Sequence, residues 1–231
     1  MLNRLFMTAL VAGVAAGVFG WALQMALTTP IIVAAEVFEN AGATGNVGHD
    51  HGDEVGSHDH DDEAWAPDEG FERHVYTLLT SVLFGVGFGA MLAAVFVLAG
   101  RDSVGWRDGL VWGLLGYAAI YVAPSLGLPP EVPGMAAAGV TERQIWWFLT
   151  AITTAAGIYG LIRGGILLRV IGLVAIALPH LVGAPHPQEF SGGPPAELAA
   201  KFAVASLVTV GLFWMMLGAA AGWAFDRYAR D

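Results

Sequence analysis

Apolar and polar positions along this chain fall into long blocks rather than into the short alternation of an amphipathic soluble fold. Six apolar runs stand out: Leu5–Val33, Val75–Ala99, Gly109–Leu126, Ile145–Ile162, Ile166–Val182 and Ala199–Phe225. About twenty apolar residues are needed to carry a helix across the hydrocarbon core. The pattern therefore predicts an all-α integral membrane protein, a six-helix transmembrane bundle forming one membrane domain over residues 1–231. The fifth run is the shortest and carries Arg169 near its start. The first run resembles the apolar stretch of a signal peptide behind Arg4, but it is longer and lacks a clean cleavage signal before Pro30, so it reads as a retained helix.

Composition agrees. Hydrophobic residues make up 56% of the chain and charged residues 13%, about half of what a soluble domain of this length carries. Such a surface needs lipid. Cysteine is absent, which excludes disulfides, thiolate metal sites and cysteine nucleophiles. A net charge of −10 with few basic residues argues against nucleic acid as a partner.

The basic residues orient the spans. Six crossings place Arg4, Arg101, Arg107, Arg163, Arg169, Arg227 and Arg230 on one side, and only Arg73, Arg143 and Lys201 on the other. Positive charge favours the cytoplasm, so both termini are expected there, in a multi-pass protein of a bacterial inner membrane. Every histidine then lies outside.

Small residues recur at four-residue spacing in Gly13/Gly17, Gly85/Gly89, Gly109/Gly113, Gly160/Gly164 and Gly218/Gly222. That spacing lets two backbones approach closely in lipid, although a chain this rich in glycine also produces such pairs by chance. Three outgoing helices end alike. Pro30, Pro124 and Pro179 are each followed six or seven residues later by Glu36, Glu131 or His186. Proline removes an amide donor, and freed carbonyls at membrane depth need protein or a watery cavity. The similarity predicts three tandem hairpins, although proline also simply ends helices at the interface.

Residues 39–73 read as a flexible acidic outer loop. Within it His49, Asp50 and His51, then His58, Asp59 and His60, form two His-x-His pairs among carboxylates. Neutral imidazole suits borderline divalent ions such as cobalt, nickel, copper and zinc, and carboxylates add charge attraction. A segment of this composition binds weakly and exchanges fast. Metal capture, metal sensing and an inert solvated loop are all readings of it. Further candidate ligands are Glu131, His180, His186 and Glu36. Inside the spans only neutral polar groups appear: Gln24, Thr77, Thr80, Ser81, Thr150, Thr153, Thr154, Ser206 and Thr209, with Met25 as a softer donor. Trp146 and Trp147 read as interfacial anchors.

Several stretches, PSLGLPPEVPG from Pro124, ERQIWW from Glu142, LPHLVGAPHP from Leu178 and a late Trp214, resemble the CbtA family of probable cobalt transporter subunits. The resemblance implies a membrane component of cobalt uptake linked to cobalamin biosynthesis, working beside CbtB, a small single-span partner with histidines of its own. It supplies no catalytic residues. No Walker motif or nucleophile–base arrangement is present, so the chain is not expected to be an enzyme. The expectation is a cobalt or nickel import subunit with no tightly bound cofactor, taking Co2+ or Ni2+ as a transient ligand, with oligomerisation open. The alternative is a non-transporting metal-binding accessory or assembly subunit.

Overall fold

The computed structural model describes residues 1–44, 70–187 and 193–229. Their regular elements are all helices, with no strand among them. Four helices are long and apolar enough to cross a membrane: α1 (Leu2–Leu27), α3 (Phe71–Leu98), α6 (Val140–Arg163) and α8 (Ala196–Arg227). The third apolar run is helical but subdivided into α4 (Trp106–Tyr117), a π turn (Ala118–Val122) and α5 (Ala123–Ser125). Together these run unbroken for about 30 Å at about 1.5 Å per residue. The fifth run becomes α7 (Ile166–Val182), with the bounds read from the sequence.

The first run breaks earlier than its proline suggests. Helix α1 stops at Leu27, Thr28 caps it, and α2 (Thr29–Thr44) starts with Pro30 in its first turn, where a missing N–H costs nothing. Thr28 bridges the two, its carbonyl accepting from the amides of Ile31 and Ile32. Helix α2 also continues past residue 39 and α3 begins at Phe71, so both flanks of the expected 39–73 loop are helical. Pro124 is accommodated differently. The amide of Ala123 reaches back five residues to Ala118, and that π register leaves the Ala119 carbonyl without a helical donor, since residue 124 has none.

Glycine pairs join the helices. A methyl at Gly13 or Gly17 would overlap the α3 backbone at Val86 or Val82, and one at Gly85 would overlap Gly13. Gly109 and Gly113 of α4 stand in the same relation to Gly218 and Gly222 of α8. Four of the five sequence pairs thus interlock two by two. In the fifth, Gly160 faces α7 at Leu168, whereas Gly164 is the turn that follows α6. Lipid tails are as apolar as leucine, so close backbone approach and dispersion, not exclusion of water, hold such contacts.

Between these helices lies a core of Ala12, Ala16, Leu92, Phe96, Trp214, Leu217, Ala221 and Phe225. Helix α7 packs chiefly on α6 and leaves Ile166, Leu167, Leu173 and Leu181 exposed. The bundle has two distinct ends. At the terminus end, Arg4 of α1 donates at 2.7 Å to the carbonyls of Phe225 and Asp102. Arg163 there donates to Ala99, and Arg169 to Gly164. The opposite end gathers the end of α1, the starts of α3, α6 and α8, the end of α5 and the end of α7; we call it the histidine end.

Candidate functional site

Two adjoining cavities occupy the histidine end. The deeper one, about 960 Å3, lies between α1, α3, α8 and the π turn. Its walls carry Gln24, Thr77, Thr80, Ser81, Ser206 and Thr209, so six of the nine polar span residues named from the sequence converge on one space. Phe88 and Trp214 lie in its wall, ring centroids 5.0 Å apart. Gly116 makes room for that indole, because a methyl there would meet its ring.

Hydrogen bonds join the walls in part. Gln24 Nε2 donates to Ser81 Oγ at 3.3 Å, linking α1 to α3. Tyr121 of the π turn and Ser206 of α8 both line this space. Thr209 is 3% exposed, and its hydroxyl makes no hydrogen bond among the described residues. The remaining three polar span residues lie on α6, outside the cavity. Thr150 and Thr153 satisfy their hydroxyls on carbonyls of their own helix, and Thr154 is buried without a partner among the described residues.

The shallower cavity, about 830 Å3, lies under the turn Leu128–Pro133 and against the start of α6. Ile32, Tyr121, Trp147 and Phe202 line both spaces. Tyr121 and Trp147 were not singled out as site residues by the sequence. The available signal for Tyr121 was its place one turn before Pro124.

Glu36 and Glu131 both lie here, and each is held by arginine. Glu36 accepts two bonds from Arg73, whose side chain lines the deeper cavity. Glu131 pairs with Arg143 at 3.0 Å in the wall of the shallower one. Lys201 pairs with Glu197 at 2.8 Å. Thus all three basic residues assigned to this side are neutralised by carboxylates. His74 brings Nδ1 to 2.9 Å from the sulfur of Met25.

His180 follows Pro179 at the end of α7. Its ring stands edge-on to Trp146 at 5.8 Å, and its Nε2 is buried with no partner among the described residues. Trp146 is not a surface anchor. It is 7% exposed, seated where Gly127 leaves space for its ring. His186 is exposed beyond Ala184. Glu36, Glu131, His180 and His186 therefore share an end of the bundle but do not converge, and no group of three or more histidine or acidic side chains that could hold a metal occurs among the described residues. His49, Asp50, His51, His58, Asp59 and His60 lie outside the described residues.

A family model described as probable cobalt transporter subunit (CbtA) matches residues 2–226, nearly the whole chain. Comparison with curated proteins and with solved structures gives no match.

Proposed function

The chain belongs to the family of probable cobalt transporter subunits (CbtA), and from that premise we propose that it is the cation-admitting subunit of a cobalt importer. The family match over residues 2–226 carries this reading. In it the chain makes six crossings, with both termini in the cytoplasm of a bacterial inner membrane and the histidine end outside. Support comes from the unbroken helical length of Trp106–Ser125, from the alternating direction of successive helices, and from the arginine bias towards the terminus end.

The His/Asp segment around His49–His60 collects Co2+ at the outer surface, and imidazole admits Ni2+ as well. The ion then reaches the two cavities, where Glu36 and Glu131 become available as their arginine partners swing aside. The absence of a nucleotide-binding motif leaves energy, or part of the pathway, to a partner such as a small single-span CbtB-like subunit.

One observation favours a second reading, an accessory that delivers metal without conducting it. The described spans hold no convergent charged ligands of the kind that usually mark an ion path. Uptake of radioactive cobalt into cells, with this chain alone and with a single-span partner, separates the two. Uptake in either case supports import, whereas metal binding without uptake in both sinks it. Replacing the four loop histidines with alanine should raise the cobalt concentration for half-maximal uptake and leave the maximal rate. Labelling of residues 48–60 in intact cells tests the orientation, and protection of that segment from an impermeant reagent would reverse it.

A further inference from the structure

The deeper cavity is chemically uniform. Its polar walls offer hydroxyl, amide and indole groups and the Arg73 guanidinium; no carboxylate, imidazole or thioether is among its described lining residues. That guanidinium is paired with Glu36. A divalent transition ion stripped of water takes imidazole or carboxylate, and neutral hydroxyls fixed on separate packed helices are poor substitutes for six waters. The same hydroxyls are well suited to a different task. Water bound to a cation is a strengthened donor, and a hydroxyl or amide oxygen is an acceptor.

Size agrees with this. Six waters at about 30 Å3 each fill only a small part of the 960 Å3 space, so an intact aqua complex fits with further waters around it. A second observation points to a guest: the Thr209 hydroxyl is buried in this wall with no protein partner among the described residues. Buried hydroxyls are normally satisfied, and here the vacant lone pairs belong to a cavity-lining residue.

Resting on the reading of the chain as a cobalt import subunit, we propose that the deeper cavity takes the divalent cation with its water shell intact, held by hydrogen bonds from metal-bound waters to Thr209, Ser81, Ser206 and Gln24. The cavity itself recognises the donor shell of bound water and does not tell one hydrated divalent ion from another. Discrimination between cobalt and other divalent ions then falls to the imidazole and carboxylate groups nearer the surface.

Hexaamminecobalt(III) tests this directly, because its six ammonia ligands do not exchange and its size and outward N–H donors mimic the aqua ion. It should inhibit Co2+ uptake competitively in cells carrying the chain with its partner. Thr209→Val and Ser81→Ala should each weaken that inhibition by about fivefold to tenfold, the worth of one hydrogen bond. Thr153→Val, whose hydroxyl is spent on its own helix, should leave it unchanged. Uptake that proceeds unaffected by the complex would mean that the ion enters stripped, overturning the proposal. Inhibition equally strong in Thr209→Val and Ser81→Ala would place the competitor elsewhere and overturn it too. If cells take up no cobalt with or without the partner, the import reading fails, and binding of hexaamminecobalt(III) to the purified full chain in nanodiscs still decides: a Thr209-dependent component supports the cavity assignment and its absence refutes it.

Discussion

The two ends of this bundle use their arginines in opposite ways. At the terminus end Arg4, Arg163 and Arg169 all donate to backbone carbonyls near helix C-termini, where a cation also meets the negative end of the helix dipole. The Arg4 guanidinium additionally lies 3.5 Å from the Phe225 ring centroid. At the histidine end Arg73 and Arg143 hold glutamates instead. A carbonyl bound to arginine helps to close a helix end. On the import reading proposed above, a carboxylate bound to arginine is instead an anion that an arriving cation can claim. On that reading the difference separates an end held together by its arginines from an end that can exchange partners.

The strongest way to break that contrast is to add one methyl group at each end. In Gly222→Ala the new carbon overlaps the backbone of Gly105 and Gly109, which cannot yield without parting α4 from α8. We expect a loss of about 3 kcal/mol, the upper range for overpacking, read as a lower midpoint of unfolding in mixed micelles. Gly20→Ala, beside the deeper cavity, meets only the ring of Phe213 at 3.0 Å, a side chain with space to turn into. It should cost less than about 1 kcal/mol. Equal losses would mean that the two ends are packed alike.

Arginine replacements come next in size. Arg4→Gln gives up two charge-assisted bonds and a ring contact, and should lower stability by about 2 kcal/mol. Arg143→Gln removes a half-exposed ion pair and should lower stability by under about 1 kcal/mol. Its effect should appear in transport instead. With Glu131 released, the cobalt concentration for half-maximal uptake should fall several-fold, and Glu131→Gln should move it the other way. A rise in Arg143→Gln would show that the pair positions Glu131 for the cation rather than withholding it.

How far the sequence anticipated this contrast depends on the range of each interaction. Apolar run length is a local property, and it located α7 to the residue and α3, α6 and α8 to within a few. Glycine spacing is local as well, and four of the five pairs found partners. The partners of Glu36 and Glu131 were not legible, because each pair is closed by the meeting of separate helices or loops. For the same reason the threonines on α6 looked equivalent to Ser81, Ser206 and Thr209; only packing decides which hydroxyls face a cavity and which turn back on their own helix. Trp146 was misjudged because an indole near a span end usually sits at the headgroup level, and only the approach of Gly127 and His180 buries this one. Proline signalled a helix break correctly at one place, Pro30, whereas the helix runs on through Pro124 and Pro179. It did not say that the break would be a new helix start, that Pro124 would be absorbed by a π turn, or that Pro179 would be an interior position in α7.

The smallest expected effect contrasts two buried hydroxyls that lack partners among the described residues. Thr8 is fully buried in α1 towards the terminus end, and Thr209 lines the deeper cavity. Valine has nearly the shape of threonine, so Thr8→Val removes an unsatisfied polar group from a packed site and little else. Stability should rise by about 0.5 to 1 kcal/mol, with uptake unchanged. Thr209→Val should shift the unfolding midpoint less, because a buried hydroxyl beside a cavity of this size reaches water after a small side-chain rotation that close packing denies Thr8. Its effect belongs to the cation. If instead Thr209→Val stabilised the fold as much as Thr8→Val, the cavity wall at that position would be as dry as the core, and the histidine end would lose its claim to be the wet, exchanging half of the molecule.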